Sequence, residues 1–350
     1  MGAGQQKGIA MNIVYFEMDD WEENILLDLY RMNDFKTVKD PFEIKNAAHF
    51  AEAEVISCFI YSDLSAETLK NLKKLKMIAT RSTGFDHIDL EYCKKNNILV
   101  SNVPFYGENT VAEHVFALLL ALSRHIPEAT QRTKEGNFSF KGLEGFDLYK
   151  KIMGIIGTGS IGLHTARMAK GFGMDVLAFD VSPKEEAAKR IGFSYASLKE
   201  LLRTSDIITL HVPGGASTSH LLSDKEFSMM KDGVVIINTA RGSVINPKAL
   251  LKALYDGKVR AAGLDVLPEE PLIREEAELL RAPFIRKHDL ESLVIDHALT
   301  HHKNVIVTPH SAFYTKEAME RILITTHENI ACFLDGRPQN IVSEMPCQTD

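Results

Sequence analysis

Three residues of complementary chemistry, Arg241, Glu270 and His310, each come shortly after an apolar run of the sequence. Arginine offers a permanent positive charge and a planar fork of donors to a carboxylate and a neighbouring carbonyl. Histidine can deliver a proton near neutral pH, because its unperturbed pKa is about 6.5, and a carboxylate hydrogen-bonded to the ring would orient it. Together these residue types suit the reduction of a 2-oxo acid.

A glycine-rich loop of the form G-x-G-x-x-G lies near the middle of the chain, at Gly157, Gly159 and Gly162. An apolar run precedes it, a helix-like run follows it, and Asp180 ends a second apolar run. The glycines permit a tight turn, the approach of a pyrophosphate and close packing of helix on strand, and the acid would bind ribose hydroxyls. A carboxylate there also repels a 2′-phosphate, which favours NAD over NADP. The complete pattern disfavours the alternative, a glycine turn without a ligand.

Each of the three polar residues also has a simpler interpretation. An arginine after a strand is commonly part of a surface ion pair, Glu270 in Pro-Glu-Glu-Pro could be a solvated loop acid, and a histidine after proline is often structural. In open parallel sheets, however, ligands bind beyond the carboxyl ends of the strands. Because all three residues follow predicted strands on a nucleotide-binding fold, their joint occurrence favours catalysis.

Composition and charge are typical of a globular protein. At 350 residues the chain is longer than most single hydrophobic cores, which favours two domains. A net charge of −7 without a basic block disfavours nucleic acid and anionic membranes as partners. The four cysteines lack C-x-x-C pairing, as in a reducing compartment. The first residues lack a signal-peptide core, and the longest apolar run, 115–122, is too short to span a bilayer, so a cytoplasmic protein is expected.

Strand-like and helix-like segments alternate, which predicts parallel sheets covered by helices. The predicted strands are 12–17, 54–61, 76–81, 98–101, 151–156, 175–179, 206–211, 233–238, 260–265 and 304–308. The predicted helices include 21–32, 66–74, 88–96, 161–172 and 316–334, the last of which returns over the first domain. Capping boxes at Thr110–Glu113, Ser197–Glu200 and Ser223–Glu226 indicate three further helix starts. The first of these three helices is apolar on almost all sides, which predicts burial between domains or subunits.

Three histidines late in the chain raise the question of a metal site. His297 and His301 are spaced to share a helical face, and His302 follows directly. The carboxylate–histidine signature H-E-x-x-H does not accompany them, so a solvated helix face is favoured and no metal is predicted.

Several motifs in order make the chain similar to the NAD-dependent D-2-hydroxyacid dehydrogenases over about residues 12–342. The segments that carry the resemblance are 81–89 (RSTGFDHID), 102–106, 157–162, 211–213, 238–242, 263–271 and 309–310. It implies that Arg241, Glu270 and His310 are catalytic, and that backbone N–H groups of Ser82, Thr83 and Gly84 hold the substrate carboxylate. The implied NAD contacts are Gly157, Thr158, Gly159, Ser160, Ile161, Gly162, Asp180, His211, Val212, Pro213, Asn238, Thr239, Ala240 and Asp265.

Within this family the sequence most resembles the D-lactate dehydrogenases, chiefly through segment 309–315 (PHSAFYT). Tyr61, Tyr106 and Tyr314 match aromatic positions that wall a small pocket in that branch. The stretch between Glu270 and the catalytic histidine is longer than in typical relatives. It could form a flap, a subunit contact or a pocket wall.

The resemblance implies an α/β fold of two doubly wound parallel-sheet domains, with a Rossmann NAD domain inserted into a flavodoxin-like substrate domain. The substrate domain is expected at 1–104 and 308–350, the NAD domain at 105–307, and the active site in the cleft between them. The expected reaction is hydride transfer between NAD(H) and a small 2-oxo acid, with pyruvate and D-lactate as the first expectation.

Other functions and partners stay open beside that expectation. Glyoxylate, hydroxypyruvate and larger 2-oxo acids are alternative substrates. An NAD(H)-sensing role, as in corepressors similar to this family, is an alternative of another class. A homodimer is expected from the resemblance, with the helix at 110–126 as the contact, and neither nucleic acid nor a membrane is expected as a partner.

Overall fold

The chain folds as two compact units, one of which interrupts the other in sequence. The computed structural model describes residues 11–29, 35–85, 87–268 and 290–342. The first unit comprises the chain up to Tyr106 together with the segment from Thr315, and the second unit is Gly107–Tyr314.

The described residues form twelve strands and twelve α-helices. The strands are β1 (Ile13–Tyr15), β2 (Phe35–Thr37), β3 (Val55–Cys58), β4 (Met77–Thr80), β5 (Leu99–Ser101), β6 (Ile152–Ile156), β7 (Asp175–Phe179), β8 (Ser194–Tyr195), β9 (Ile207–Leu210), β10 (Val234–Asn238), β11 (Val259–Leu264) and β12 (Val305–Val307). The helices are α1 (Asp20–Leu29), α2 (Ala66–Leu69), α3 (Leu90–Lys95), α4 (Glu108–Ser123), α5 (Ile126–Lys134), α6 (Ser160–Gly171), α7 (Glu185–Ile191), α8 (Leu198–Thr204), α9 (Asp224–Met229), α10 (Pro247–Tyr255), α11 (Leu290–Thr300) and α12 (Lys316–Leu334). Short 3-10 turns lie at Ala47–Phe50 and Gly242–Val244.

The first unit is a five-stranded parallel sheet, ordered β2-β1-β3-β4-β5, with apolar side chains on both faces. In β1, Ile13 and Tyr15 belong to one core while Val14 belongs to the other, as the two-residue period of a strand requires. α1 and α12 pack together, and both contribute side chains to the core of Ile13. The last helix of the chain therefore returns to the sheet of the first unit, as predicted.

The second unit is a seven-stranded parallel sheet, ordered β12-β11-β10-β9-β6-β7-β8. The chain builds outward from β6 through β7 and β8 on one side, and from β9 through β12 on the other. The strand order therefore reverses between β6 and β9, and open α/β sheets bind ligands at the carboxyl ends of the strands beside such a reversal. The two parallel sheets confirm the predicted fold of two doubly wound α/β domains.

Helix α4 begins earlier than the sequence analysis predicted. Its first residue is Glu108, so Thr110 lies within the first turn and the capping box predicted at Thr110–Glu113 is wrong. The amide of Asn109 donates to the carboxylate of Glu113 at 3.2 Å, and this contact engages the acid that the box would need. The other two predicted boxes do begin helices, α8 and α9.

The apolar side chains of α4 pack within the second unit. Val115, Leu119 and Leu122 join the same core as residues of α6 and of the central strands. The burial of α4 therefore requires neither a second domain nor a second subunit, in contrast to the prediction. Among the described residues, no helix combines the length and the apolar character needed to cross a membrane.

Candidate active site

The residues predicted to bind NAD lie at the carboxyl ends of the strands of the second unit. The glycine loop joins β6 to α6, Asp180 follows β7, and segment 211–213 follows β9. Asn238 is the last residue of β10, and Asp265 follows β11. Because the strands are parallel, these residues stand along one edge of the sheet, on both sides of the reversal between β6 and β9.

The glycine loop has no room for side chains at two of its glycines and is open at the third. Gly157 has a φ of +95°, and a Cβ there would lie 2.5 Å from the carbonyl oxygen of His211. A Cβ at Gly162 would overlap the carbonyl oxygen of Gly157. At Gly159, by contrast, a Cβ would meet no atom within 4 Å. The open side at Gly159, at the N-terminus of α6, fits the pyrophosphate of a dinucleotide.

Asp180 is bound to the glycine loop through its carboxylate. One oxygen accepts hydrogen bonds from the backbone N–H of Thr158 at 2.5 Å and from its hydroxyl at 2.9 Å, and the other accepts from the N–H of Ser182 at 2.8 Å. Burial by itself raises the pKa of Asp180, but these hydrogen bonds outweigh it and hold the pKa below its usual value. The side chain is therefore negatively charged at neutral pH, as discrimination against a 2′-phosphate requires.

The Thr158 hydroxyl has a second partner that the sequence analysis did not single out. It lies 2.8 Å from the hydroxyl of Tyr195, which also accepts the N–H of Lys184 at 2.9 Å. Tyr195 thus ties the glycine loop to the segment that follows Asp180. A lone tyrosine in a two-residue strand gave no signal of this role in the sequence.

His211 is an uncharged neighbour of the glycine loop. The residue keeps some exposed surface, but protein atoms surround its ring, and this burial lowers the pKa of His211 to about 3. Its Nε2 lies 3.1 Å from the hydroxyl of Thr209. A neutral ring at this position adds no charge next to a bound pyrophosphate.

Arg241 lies in a turn after β10 that Asn238 holds in place. The amide of Asn238 donates to the carbonyl oxygen of Arg241 and accepts from the N–H of Ala240, both at 3.0 Å. The guanidinium of Arg241 donates to the carbonyl oxygen of Ala240 at 2.9 Å. A Cβ at Gly242 would overlap the backbone of Leu267, so glycine is needed for this turn to pack against the segment after β11.

His310 lies in a turn after β12 that is bound to Asp265. The carboxylate of Asp265 accepts hydrogen bonds from the hydroxyl of Thr308 at 2.5 Å and from the N–H groups of Ser311 and Ala312, both at 2.9 Å. The N–H of His310 donates to the backbone carbonyl of Asp265 at 2.9 Å. His310 has a φ of +51°, in the left-handed region that residues with a Cβ rarely adopt. The hydrogen bonds to Asp265 therefore hold a strained backbone at the predicted proton donor.

Asp265 is 1% exposed and receives a further contact from α4. Nε2 of His114 lies 3.0 Å from the hydroxyl oxygen of Thr308 and 3.4 Å from the carboxylate of Asp265. Burial raises the pKa of Asp265, but the nearby His114 and the hydrogen bonds from Thr308 and a backbone N–H outweigh it and lower the pKa. His114 was not among the predicted site residues, although a polar residue within a strongly apolar helix was a signal that could have found it.

The second boundary between the two units lies later in the chain than predicted. The chain leaves the second unit after Tyr314, later than the crossing predicted at 307/308, because the turn after β12 is bound to Asp265 of that unit. The first crossing comes after Tyr106, close to the predicted 104/105. Glu270 lies outside the described residues, so its pairing with His310 stays a prediction.

Two residues of the predicted carboxylate-binding loop, Thr83 and Gly84, follow β4 in the first unit. The hydroxyl of Thr83 donates to the carbonyl oxygen of Val103 at 2.8 Å, and the amide of Asn102 donates to the carbonyl oxygen of Thr83 at 2.8 Å. These bonds hold the loop backbone against the segment after β5.

The three predicted pocket tyrosines are divided between the units. Tyr61 and Tyr106 belong to the first unit and Tyr314 to the second. The backbone N–H of Tyr61 donates to the carboxylate of Glu17 at 3.1 Å, and the carbonyl oxygen of Tyr106 accepts from Arg321 at 2.6 Å. The roles of the three tyrosines in substrate binding stay predictions.

The histidines considered for a metal lie on and just after α11. The rings of His297 and His301 have centroids 4.1 Å apart, and that of His302 packs against Tyr255. Within the described part of the chain, no group of three or more metal-ligating side chains is close enough to hold an ion.

Comparison with known proteins shows the family of the chain. The family model described as D-isomer specific 2-hydroxyacid dehydrogenase, NAD binding domain, matches residues 116–312. The chain belongs to this dehydrogenase family. D-lactate dehydrogenase of Escherichia coli K12 is 39% identical to the dehydrogenase over 281 residues, which cover 79% of this chain and 82% of that protein. A glyoxylate reductase of Thermococcus litoralis is 35% identical over 301 residues, which cover 84% of each protein.

Solved structures resemble the dehydrogenase over nearly its whole length. A D-lactate dehydrogenase from Aquifex aeolicus, complexed with NAD and lactic acid, has a TM-score of 0.83 and 35% identity, and covers 96% of this chain and 100% of that chain. The pyruvate reductase of Chlamydomonas reinhardtii has a TM-score of 0.86 and 35% identity, over 95% of this chain and 98% of that chain. The chain is an NAD-dependent oxidoreductase, and its similarities support the D-lactate dehydrogenase branch.

The second unit of the dehydrogenase has the features that its cofactor, NAD, requires. The loop is open at Gly159, the carboxylate of Asp180 is charged, and the N-terminus of α6 is directed at the loop. The buried hydroxyl of Thr239 has no hydrogen-bond partner among the described residues, as expected of a group that a bound cofactor satisfies. The residues present therefore fit NAD.

Proposed function

We propose that the dehydrogenase reduces pyruvate to D-lactate with NADH and catalyses the reverse reaction with NAD. The observation that carries the proposal is the turn at His310, where Asp265 holds an ionisable residue in a strained backbone conformation at the edge of the NAD-binding sheet. Strained backbone of this kind is concentrated at functional sites. Pyruvate is the proposed substrate because D-lactate dehydrogenases are among the similar sequences and structures.

Three side chains have distinct roles in this proposal. His310 donates a proton to the carbonyl oxygen of pyruvate as it becomes a hydroxyl, and accepts it back when lactate is oxidised. Bound NADH supplies the hydride for the carbonyl carbon. Arg241 binds the carboxylate and polarises the carbonyl through its fork of donors. Glu270 orients the ring of His310.

The first unit supplies the remaining proposed contacts. The backbone N–H groups of Thr83 and Gly84 bind the substrate carboxylate, and the hydrogen bonds of this loop to the segment after β5 support the assignment. Tyr61, Tyr106 and Tyr314 contact the methyl group of pyruvate.

Reduction of glyoxylate is the second candidate, because a glyoxylate reductase is 35% identical to this chain. The two acids share a carboxylate and a neighbouring carbonyl, and they differ by one methyl group. Burial of one such group contributes about 0.8 kcal/mol, or roughly fourfold in kcat/KM, in favour of pyruvate. An NAD(H)-sensing role is not favoured, because the similar proteins named above are enzymes.

A panel of 2-oxo acids tests the proposal. Consumption of NADH is followed by absorbance with pyruvate, glyoxylate, hydroxypyruvate and a branched acid of leucine size, and each is repeated with NADPH. We expect the highest kcat/KM with pyruvate and NADH. A higher value with glyoxylate would favour the second candidate, and no turnover of any acid would favour a sensor.

We also propose that the protein is a homodimer. The segment after α5 exposes Phe138 and Phe140 to 82% and 88%, and large apolar side chains exposed together are typical of interfaces. Because α4 is packed within the second unit, we place the contact at this segment rather than at α4. Sedimentation equilibrium should give the mass of two chains, and replacement of both phenylalanines by serine should give the mass of one.

A further inference from the structure

A line of hydrogen-bonding groups leads from α4 to the turn that carries His310. α4 packs against β11 and β12 of the same sheet. Nε2 of His114 lies 3.0 Å from Oγ1 of Thr308, and Oγ1 lies 2.5 Å from a carboxylate oxygen of Asp265. The carboxylate in turn accepts the backbone N–H groups of the two residues after His310.

The carboxylate of Asp265, which can only accept, determines which atoms along this line carry the hydrogens. A threonine hydroxyl has one hydrogen, and the short distance to the carboxylate assigns that of Thr308 to Asp265. Oγ1 of Thr308 can then only accept from His114, so Nε2 of His114 carries a hydrogen. The opposite tautomer would set a lone pair of the ring against those of Oγ1, with the carboxylate 3.4 Å away.

We propose that His114 is a positioning residue for proton transfer by His310. It donates to Thr308, which donates to Asp265, whose carboxylate holds the turn around His310 in its left-handed conformation. The inference rests on the proposed role of His310 as the proton donor. His114 acts through the turn and does not itself exchange a proton with the substrate.

The buried charge of Asp265 explains why the turn depends on His114. Burial raises the pKa of Asp265, and the interaction with His114, 3.4 Å from the carboxylate, is the largest of the contributions that lower it. Without this donor the carboxylate is less well stabilised, and its hydrogen bonds to the turn weaken. The weakened hydrogen bonds then offset less of the backbone strain at His310, whose φ is +51°.

Two substitutions of His114 distinguish the effect of its hydrogen-bond donor from the effect of its side-chain volume. His114→Leu keeps an apolar side chain of similar size without a donor, whereas His114→Gln places an amide N–H at a reach similar to that of Nε2. We expect His114→Leu to lower kcat for pyruvate by about tenfold to a hundredfold, because small displacements of a catalytic group have effects of this size. The dissociation constant of NADH and the KM of pyruvate should change by less than about threefold, because Arg241 and the glycine loop are untouched. His114→Gln should recover most of the loss.

Amide hydrogen exchange of the turn gives a readout that does not depend on turnover. In His114→Leu the N–H groups of Ser311 and Ala312 should exchange at least about tenfold faster than in the wild type, since local opening becomes easier. In His114→Gln they should stay protected, and the amides of β7 serve as the internal control in both variants.

The two readouts distinguish failure of this inference from failure of the proposed function. If the wild type turns over no 2-oxo acid but exchange is faster in His114→Leu alone, the proposed function fails and the positioning of the turn stands. Unchanged exchange and unchanged kcat in His114→Leu would overturn the inference. Equal losses in His114→Leu and His114→Gln would also overturn it, because the ring would then act by packing alone.

Discussion

Asp180 and Asp265 lie at the same edge of the seven-stranded sheet, but their carboxylates have different contacts. Hydrogen bonds lower the pKa of both below the usual value although burial raises it. Asp180 is only partly buried and can meet a ribose, whereas Asp265 is 1% exposed and accepts hydrogen bonds from the turn after β12. Asp180 therefore suits the predicted contact with NAD. Asp265, in contrast, accepts hydrogen bonds from the turn that carries His310 and holds that turn in place.

Asp180→Ser should relax the preference for NADH over NADPH. Removing the carboxylate removes both an acceptor for ribose hydroxyls and the repulsion of a 2′-phosphate. The ratio of kcat/KM with the two cofactors should fall by about tenfold or more, equivalent to about 1.4 kcal/mol. Asp175→Ser, an exposed position at the opposite end of β7, is the control and should leave the ratio unchanged. An unchanged ratio in Asp180→Ser would remove Asp180 from cofactor selection.

Asp265→Asn should destabilise the protein in a pH-dependent manner. A carboxyl group whose pKa is lowered in the folded state contributes stability above its unfolded pKa of about 3.9, and the contribution is lost as the pH falls through the folded pKa. The wild type should therefore exceed Asp265→Asn at pH 7 by about 2–4 kcal/mol in the free energy of unfolding, and the gap should close at acid pH. Urea titrations at a series of pH values measure this difference in the free energy of unfolding. A difference independent of pH would show that the charge of Asp265 is not the source of the stability.

The glycine loop and α6 form one element whose glycines have separable functions. Gly157 and Gly162 are required by the fold, because a Cβ at either position would overlap backbone atoms. Gly159 and Gly171 both have open space around them, but Gly159 faces the predicted pyrophosphate site while Gly171 ends the helix. Alanine at the last two positions can therefore test ligand binding without disturbing the fold.

Gly159→Ala should weaken NADH binding by about tenfold or more without lowering the melting temperature, because the added methyl meets only the cofactor. Gly171→Ala is the matched control and should leave NADH binding unchanged while stabilising α6 by about 0.5–1 kcal/mol. Fluorescence titration with NADH and thermal melting provide the two measurements. A loss of NADH affinity in both variants would point to the helix rather than to the pyrophosphate site.

Elements with a clear period could be predicted from the sequence, and the short or polar ones could not. The helix at 316–334 has the predicted bounds, because its apolar period and flanking signals are strong. β2 and β8 have three and two residues, and neither contains a buried residue, so no apolar run marks them in the sequence. α5 buries none of its side chains, so it has no apolar stripe to find. α10, in contrast, carries Asn246 as a cap and a proline at its start, and these signals could have revealed it.

At the scale of the whole molecule, the order of motifs predicted the family, the cofactor and the two sheets. It could not predict that the chain leaves the second unit after Tyr314, because that boundary depends on hydrogen bonds between Asp265 and a turn distant in sequence. The hydrogen-bond partners of His114 and Tyr195 escaped prediction for the same reason, since each side chain contacts a threonine hydroxyl far along the chain. Sequence periodicity shows which face of an element is buried, but hydrogen bonds between side chains far apart in sequence depend on how the whole chain folds.

The product formed from pyruvate and NADH tests the account most directly. Lactate is quantified by chiral chromatography beside the NADH consumed, for the wild type and for His310→Ala. We expect one D-lactate for each NADH with the wild type, and a loss of about a hundredfold to ten-thousandfold in kcat with His310→Ala, which should still bind NADH. Formation of L-lactate, NADH consumption without lactate, or full activity of His310→Ala would contradict the account.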